Sequence, residues 1–146
     1  MRDLWNAHIE VSNKEIVDIY TGNKLESTFD VDHFIPWSYV AHDEMWNLIP
    51  SNRSVNRSKS NNLPDWDLYF HKMANMEYGL YKTIVNYDSI HKLLEECYAK
   101  NLQSIWAVEE LYVKGNTEEV FKHKLEAHLH PLYEAAKMQG YREWKI

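Results

Sequence analysis

The sequence predicts an α+β fold, in which a small strand–strand–helix core is followed by a bundle of helices. Two observations lead to this prediction. Up to Pro64 the chain is rich in Ser, Asn, Asp and β-branched residues and has short apolar runs closed by turn residues, which is typical of strands. Beyond Pro64 the pattern becomes long, polar–apolar and helical. We therefore expect a core over residues 1–64 and a helical region over 65–146 that packs on that core or extends it.

The predicted elements of the core follow one another closely. Residues 15–20 alternate in polarity and precede a Gly-Asn turn, which indicates a hairpin-like segment. Residues 27–37 and 46–50 are two further extended segments, each interrupted or closed by a proline. Ser51 is a candidate N-cap for a short helix over 51–60.

Three or four helices are predicted beyond Pro64. Their limits are marked by residues that cap or stop helices, namely Asp65, Asp88 and Asn116 with Glu119 at the starts, and Gly115 and Gly140 at the ends. We expect Pro131 to kink the last helix because proline cannot donate the backbone hydrogen bond. The apolar stripes of these helices are explained by packing.

Composition narrows the class of protein. The single cysteine, Cys97, excludes an internal disulfide and a cysteine-rich zinc site. No stretch approaches the roughly 18 apolar residues of a membrane span, and the N-terminus lacks the pattern of a signal peptide. We therefore expect a soluble, cytoplasmic protein that has no membrane partner.

The charge is unevenly spread. The net charge of −6 is unusual for a protein that binds nucleic acid, because phosphate contacts usually need a basic surface. However, no acidic residue occurs between Glu44 and Asp65, and Arg53, Arg57 and Lys59 lie in that gap. These three residues form a candidate phosphate-binding patch on the predicted short helix, although an ordinary solvated face would have the same composition.

Four polar residues in this part of the chain have the chemistry of a hydrolytic metal site. Asp32 and His33 are adjacent, so on a strand their side chains point to opposite faces and can take different roles. Asn56 lies on the helix expected to cross that strand, and its amide oxygen is a reasonable neutral metal ligand. Asn47 could hydrogen-bond the backbone near His33 and hold the loop.

The segments DVDHFIPWS and WNLIPSNRSVNRSKSNNLP resemble the signature of the HNH (His-Me finger, ββα-metal) endonucleases. They are especially similar to the HNH domain of RNA-guided CRISPR effector nucleases. The resemblance implies that His33 is the general base and that Asp32 and Asn56 bind the metal. It further implies that Asn47 orients the catalytic loop and that Lys59 lies near the phosphate. Mg²⁺ is the expected ion, with Mn²⁺ or another divalent metal as the alternative.

The resemblance covers roughly residues 20–64, and the chain departs from the family in one respect. Many members flank the site with CxxC pairs that hold a structural zinc, and this chain has none. The helical region beyond Pro64 matches no accessory domain that we can name. The expected activity is hydrolysis of a nucleic-acid phosphodiester, with DNA preferred and RNA possible as substrate. Two alternatives stay open: a binding module that does not cut, and a subunit or fragment of a larger effector whose helices dock to protein.

Several other polar and aromatic residues have simpler interpretations. His42 and Asp43 lie in a loop where solvated side chains are expected. The last predicted helix carries three histidines: His123, His128 and His130. His123 and His130 are seven residues apart and share a face, but no acidic partner is obvious at ligand spacing, so packing or solvation explains these histidines better than zinc. Trp37 and Trp46 flank the site and could stack on a base, but a place in the core is the simpler interpretation.

Overall fold

The computed structural model describes residues 1–99 and 105–146, which form a mainly helical structure with two small sheets. The helices are α1 (Arg2–Ser12), α2 (Trp37–Val40), α3 (Arg53–Lys59), α4 (Trp66–Asn86), α5 (Asp88–Ala99) and α6 (Glu118–Met138). The strands are β1 (Asp30–His33), β2 (Leu48–Ser51), β3 (Leu63–Pro64) and β4 (Glu143–Trp144). A 3₁₀ turn covers Met45–Asn47, and a short π-helix covers Ala107–Leu111.

The candidate site is built on β1, β2 and α3. The two strands pair antiparallel, with Asp32 opposite Ile49 and His33 opposite Leu48. Helix α3 follows β2 directly and packs against β1. Its N-cap is Asn52, whose Oδ1 accepts a hydrogen bond from the amide of Ser54 at 3.1 Å. The predicted helix is therefore present, but its N-cap lies one residue later than the predicted Ser51.

Ser51 does not cap α3 because its hydroxyl is committed to a buried carboxylate. It donates to Oδ2 of Asp18 at 2.9 Å, and the amide of Asn52 donates to the same oxygen at 2.7 Å. Oδ1 of Asp18 accepts from the amides of Tyr20 and Thr21. Asp18 thus joins the segment before β1 to the end of β2 through hydrogen bonds from both segments.

The hairpin-like segment near the N-terminus is less regular than predicted. Its two arms are joined by an isolated antiparallel bridge between Val17 and Lys24. The turn contains Gly22 at φ 73°, a conformation that glycine adopts without steric cost. The alternating pattern therefore marks a turn rather than two regular strands.

Helix α1 is not among the predicted elements. It buries Leu4, Trp5 and His8 against α4 and α5. The indole Nε1 of Trp5 donates to the carbonyl of Leu48 in β2 at 3.0 Å, so α1 also supports the strand that pairs with β1. The spacing of these three residues is helical, and it is the signal that could have revealed this element.

The helices beyond Pro64 follow the predicted order. Asp65 caps α4, as expected, and accepts from the amide of Leu68 at 3.1 Å. The cap of α6 is Thr117 rather than Asn116, and the helix continues through Pro131. The helix predicted between Asp88 and Gly115 is present as α5 and the π-helix, while residues 100–104 lie outside the described ranges.

The C-terminal region returns to the core. Strand β4 pairs in parallel with β3, an element that the sequence does not predict, and the amide of Leu63 donates to the carbonyl of Arg142 at 2.8 Å. Buried apolar residues from both sides of Pro64 form one continuous cluster. None of the helices in the described ranges is long and apolar enough to span a bilayer.

Candidate active site

Three of the predicted residues line one small depression on the surface. Asp32 and His33 at the end of β1 share a cavity of about 220 Å³ with Asn56 of α3. The wall is completed by Val31 of β1 and by residues that follow the strand and the helix, which are Pro36, Trp37, Ser60 and Asn61. The residues assigned to base and metal chemistry therefore lie together, as the sequence predicts.

Asp32 is buried beneath this depression with only 3% of its surface exposed. Its Oδ2 accepts a hydrogen bond from the hydroxyl of Tyr20 at 2.6 Å, and its Oδ1 accepts from Nζ of Lys59 at 3.1 Å. Burial raises the pKa of Asp32, while the ammonium of Lys59 and the hydroxyl of Tyr20 act in the opposite direction. The carboxylate is thus held in one orientation from two sides.

Lys59 is placed differently from the prediction. The expectation that it lies on a phosphate-facing surface is wrong, because its side chain is completely buried. Its Nζ donates to the backbone carbonyl of His33 at 2.7 Å as well as to Asp32. The last turn of α3 crosses β1, so a long side chain at this position passes under the strand rather than into solvent.

His33 has a carboxylate partner that the sequence does not reveal. Its Nε2 lies 2.8 Å from Oδ1 of Asp43 in the loop before the 3₁₀ turn. A carboxylate can only accept a hydrogen bond, so the ring donates through Nε2 and a neutral ring keeps the lone pair of Nδ1 free. Asp43 is 56% exposed, but it is a neighbour of His33 rather than a purely solvated residue. The adjacent His42 faces Glu44 at 3.6 Å.

Asn47 makes the loop-holding contact that the sequence predicts. Its Oδ1 accepts from the amide of Ile35 at 2.7 Å, and its Nδ2 donates to the carbonyl of the same residue at 2.9 Å. Its own carbonyl accepts from the amide of Phe34 at 2.8 Å. The side chain is completely buried in the 3₁₀ turn rather than on β2, and it fixes the backbone immediately after His33.

A second carboxylate, Asp30, lies beside Asn56 and is not among the site residues that the sequence predicts. Its Oδ2 accepts from Nδ2 of Asn56 at 3.4 Å, and its Oδ1 accepts from Nε of Arg53 at 3.2 Å. Asp30 and Asp32 are two residues apart on β1 and share a face of the strand, which is the signal that could have found it. The contact orients the amide of Asn56 so that its oxygen stays free of hydrogen bonds within the described residues.

The predicted phosphate-binding patch is smaller than expected. Arg53 is exposed, although its guanidinium already pairs with Asp30. Arg57 is exposed in the last turn of α3. With Lys59 buried, the two arginines are the members of the predicted set that can reach a phosphate from this helix.

The oxygen atoms at this site suit a hard divalent cation. A carboxylate has about four lone-pair positions, of which the hydrogen bonds from Tyr20 and Lys59 use two, and the amide oxygen of Asn56 is a neutral ligand. Across residues 1–99 and 105–146, no cluster of three His, Cys, Asp or Glu side chains could hold a metal. Two of the three histidines of α6 contact aromatic rings: His128 stacks on Trp106 at 4.0 Å, and His130 meets Trp66 edge-on at 4.8 Å.

Comparisons with known proteins find similarity in this part of the chain. Residues 18–65, about a third of the chain, match the family model described as HNH endonuclease. This segment is therefore related to the HNH endonucleases. The chain is also 31% identical over 55 residues to the CRISPR-associated endonuclease Cas9 of Listeria innocua serovar 6a. That alignment covers 35% of this chain and only 4% of the relative. No solved structure matches the chain significantly.

Proposed function

We propose that the chain is a metal-dependent HNH endonuclease that hydrolyses phosphodiester bonds in nucleic acid, with DNA as the substrate. The observation that carries the proposal is the shared depression of Asp32, His33 and Asn56 inside the segment related to HNH endonucleases. In this proposal β1, β2 and α3 are the ββα-metal core.

His33 is the proposed general base. Its ring donates to Asp43 through Nε2, so Nδ1 is the atom that takes a proton from the attacking water. Asn47 fixes the backbone at Phe34 and Ile35, which limits how far the imidazole can move. Asp43 thus orients the imidazole of His33 directly, and Asn47 orients it through the backbone that follows.

Asp32 and Asn56 are the proposed ligands of the metal, which is Mg²⁺ or Mn²⁺. When bound, such an ion would polarise the scissile phosphate and stabilise the leaving 3′ oxygen. The chain's own residues prepare this site: Tyr20 and Lys59 orient Asp32, while Asp30 orients Asn56. The arginines of α3, Arg53 and Arg57, are the proposed contacts to the neighbouring phosphates.

The chain is also a candidate for one part of a larger nuclease assembly. The relative is far longer than the matched segment, which spans 4% of it. Residues 65–146 carry 10 basic and 13 acidic side chains, a balance that suits a protein partner better than DNA. In this version the helices beyond Pro64 contact protein, and the depression still carries out the hydrolysis.

A cleavage assay with matched variants tests the proposed function. Supercoiled plasmid, single-stranded DNA and RNA are incubated with the chain, with His33→Ala, and with His71→Ala as a control at an exposed histidine of α4. We expect cleavage by the wild type and the control, and a loss of roughly 100- to 10,000-fold for His33→Ala. If His33→Ala cuts as fast as the control, His33 is not the base. If the wild type cuts nothing with several divalent metals, the chain is not an autonomous nuclease.

A further inference from the structure

Trp37 stands out among the tryptophans because of its exposure and its place. All six tryptophans lie in the described ranges, and the other five are buried or half-buried. Trp37 is 54% exposed and forms part of the wall of the depression that contains Asp32, His33 and Asn56. No aromatic ring of the described residues packs against its indole. A large apolar face is therefore presented to solvent beside the proposed reaction centre.

The backbone that presents this indole is held from both ends. Asn47 binds both backbone groups of Ile35, two residues before Trp37. The carbonyl of Trp37 accepts from the amide of Ala41 at 2.7 Å, which closes the single turn of α2. The neighbouring Ser38 accepts a hydrogen bond from the hydroxyl of Tyr141 at 3.1 Å. A backbone held in this way loses little conformational entropy of its own when a planar ligand stacks on the ring.

The electrostatic contribution to substrate binding is weak beside this depression. Of the three basic residues on α3, Lys59 is buried and Arg53 is paired with Asp30, so Arg57 is the one that is exposed without an ion pair among the described residues. The whole chain carries a net charge of −6. With one or two arginines to contact phosphates on an acidic chain, these contacts alone are expected to supply little affinity. Stacking of bases on aromatic side chains is the other main source of affinity for single-stranded nucleic acid, and it does not depend on sequence.

We infer that Trp37 stacks on an unpaired base next to the scissile phosphate, and that the substrate at this site is a single-stranded or locally unpaired strand. This inference rests on the proposed function. A base inside a duplex has both faces covered by its neighbours, so the indole can stack only where a base is unpaired, displaced or at an end. In this inference, the preference for single-stranded over duplex substrate depends on Trp37. Hydrolysis depends on His33 and the ligands of the metal.

Binding and cleavage of matched oligonucleotides test the inference. The proteins are wild type, Trp37→Ala, Trp37→Phe and Tyr87→Ala, the last as a control at an aromatic residue that is 47% exposed and outside the depression. The probes are a fluorescent single strand, its duplex, and single strands with one abasic site moved along the sequence. Affinity is measured with each protein in the His33→Ala background, and KM and kcat are measured in the active background.

We expect Trp37→Ala to weaken single-strand binding and raise KM by roughly 5- to 100-fold, with kcat changed less than KM. Trp37→Phe should keep most of the affinity, and Tyr87→Ala should match the wild type. One abasic position should weaken wild-type binding but have no further effect on Trp37→Ala, since the two changes remove the same contact.

Two results would overturn the inference while the proposed function stands: Trp37→Ala cuts single strands with an unchanged KM, or the wild type binds duplex as tightly as single strand. A different result would support the inference and overturn the nuclease proposal. In that case single strands bind in a Trp37-dependent way, but no protein that retains His33 cleaves them. Thermal unfolding of Trp37→Ala should match the wild type because the side chain is exposed.

Discussion

Nζ of Lys59 lies 3.1 Å from Oδ1 of Asp32, and both side chains are almost completely inaccessible to solvent. A buried ion pair contributes little net stability, but removal of one partner leaves the other charge without compensation. The pair joins the last turn of α3 to β1, and these elements carry Asn56 and His33. Lys59 is therefore a positioning residue for the proposed metal site.

Substitution of Lys59 tests this relationship. We expect Lys59→Met to lower the free energy of unfolding by about 3–5 kcal/mol because it leaves the buried carboxylate of Asp32 without its positively charged partner. The double variant Lys59→Met/Asp32→Asn should recover part of that loss, since it removes both charges. The measurement is denaturant unfolding of the four members of this cycle. If the loss in the double variant equals the sum of the losses in Lys59→Met and Asp32→Asn, the ion pair does not couple the two elements.

The contact between His33 and Asp43 predicts a second effect on the reaction. Asp43→Asn should lower kcat by at least about tenfold, but by less than the roughly 100- to 10,000-fold loss expected for removal of the base itself. KM should change little because Asp43 acts through the ring of His33. Asp43→Glu should recover part of the rate, while Asp67→Asn, at an exposed carboxylate of α4, is the matched control. An unchanged kcat for Asp43→Asn contradicts the orienting role.

Asn47 provides a third test, because it binds both backbone groups of Ile35. Asn47→Ala leaves a buried amide and a buried carbonyl without partners, which costs about 1–3 kcal/mol for each group. We expect a lower unfolding free energy together with a lower kcat. Asn62→Ala is a suitable comparison, since the side chain of Asn62 makes a single hydrogen bond to the carbonyl of Lys59 in the loop after α3. If Asn47→Ala is as stable and active as this control, the loop does not depend on Asn47.

His8 predicts a pH dependence of stability that is separate from catalysis. Burial lowers the pKa of His8 to about 4, and the nearby Lys14 and Lys82 act in the same direction. The unfolded chain takes up a proton near pH 6.5 and the folded chain does not, so stability is full above that pH and is lost as the pH falls towards 4. We expect His8 to account for a loss of at most about 3 kcal/mol over this range.

Unfolding free energies measured between pH 4 and 7.5 check this value. The slope over that range should be smaller in His8→Gln than in the wild type, because the titrating group is gone. His71→Gln, at an exposed position, should keep the wild-type slope. Identical slopes in all three proteins would mean that His8 does not contribute to the acid sensitivity.

The local pattern around the motif could be predicted because each signal is short-range. Alternation and prolines predict β1 and β2, and the polar run after Pro50 predicts α3 to within one residue at its start. The contact of Asn47 with the loop after His33 was also expected and is present. These features depend on neighbouring residues, for which sequence spacing is a good guide.

The remaining features depend on contacts that sequence spacing does not report. Lysine is rarely buried unless it is paired, and the sequence does not show that Lys59 pairs with Asp32. Nothing in the sequence therefore distinguishes the buried Lys59 from the exposed Arg57. Asp43 reaches His33 only because the intervening loop folds back, and β4 forms only because α6 returns the chain to β3. Helix α1 is short, and packing against α4 and α5 stabilises it more than its own composition does.

Cleavage of nucleic acid before and after removal of divalent metal tests the central claim most directly. The chain is incubated with labelled single-stranded and supercoiled DNA in Mg²⁺, then in EDTA, then after Mg²⁺ is restored, and the ends of the products are identified. We predict cleavage only when metal is present, with 5′-phosphate and 3′-hydroxyl ends and with loss of activity in Asp32→Ala and Asn56→Ala. Cleavage that persists in EDTA, or that is unchanged in both variants, would contradict the proposal.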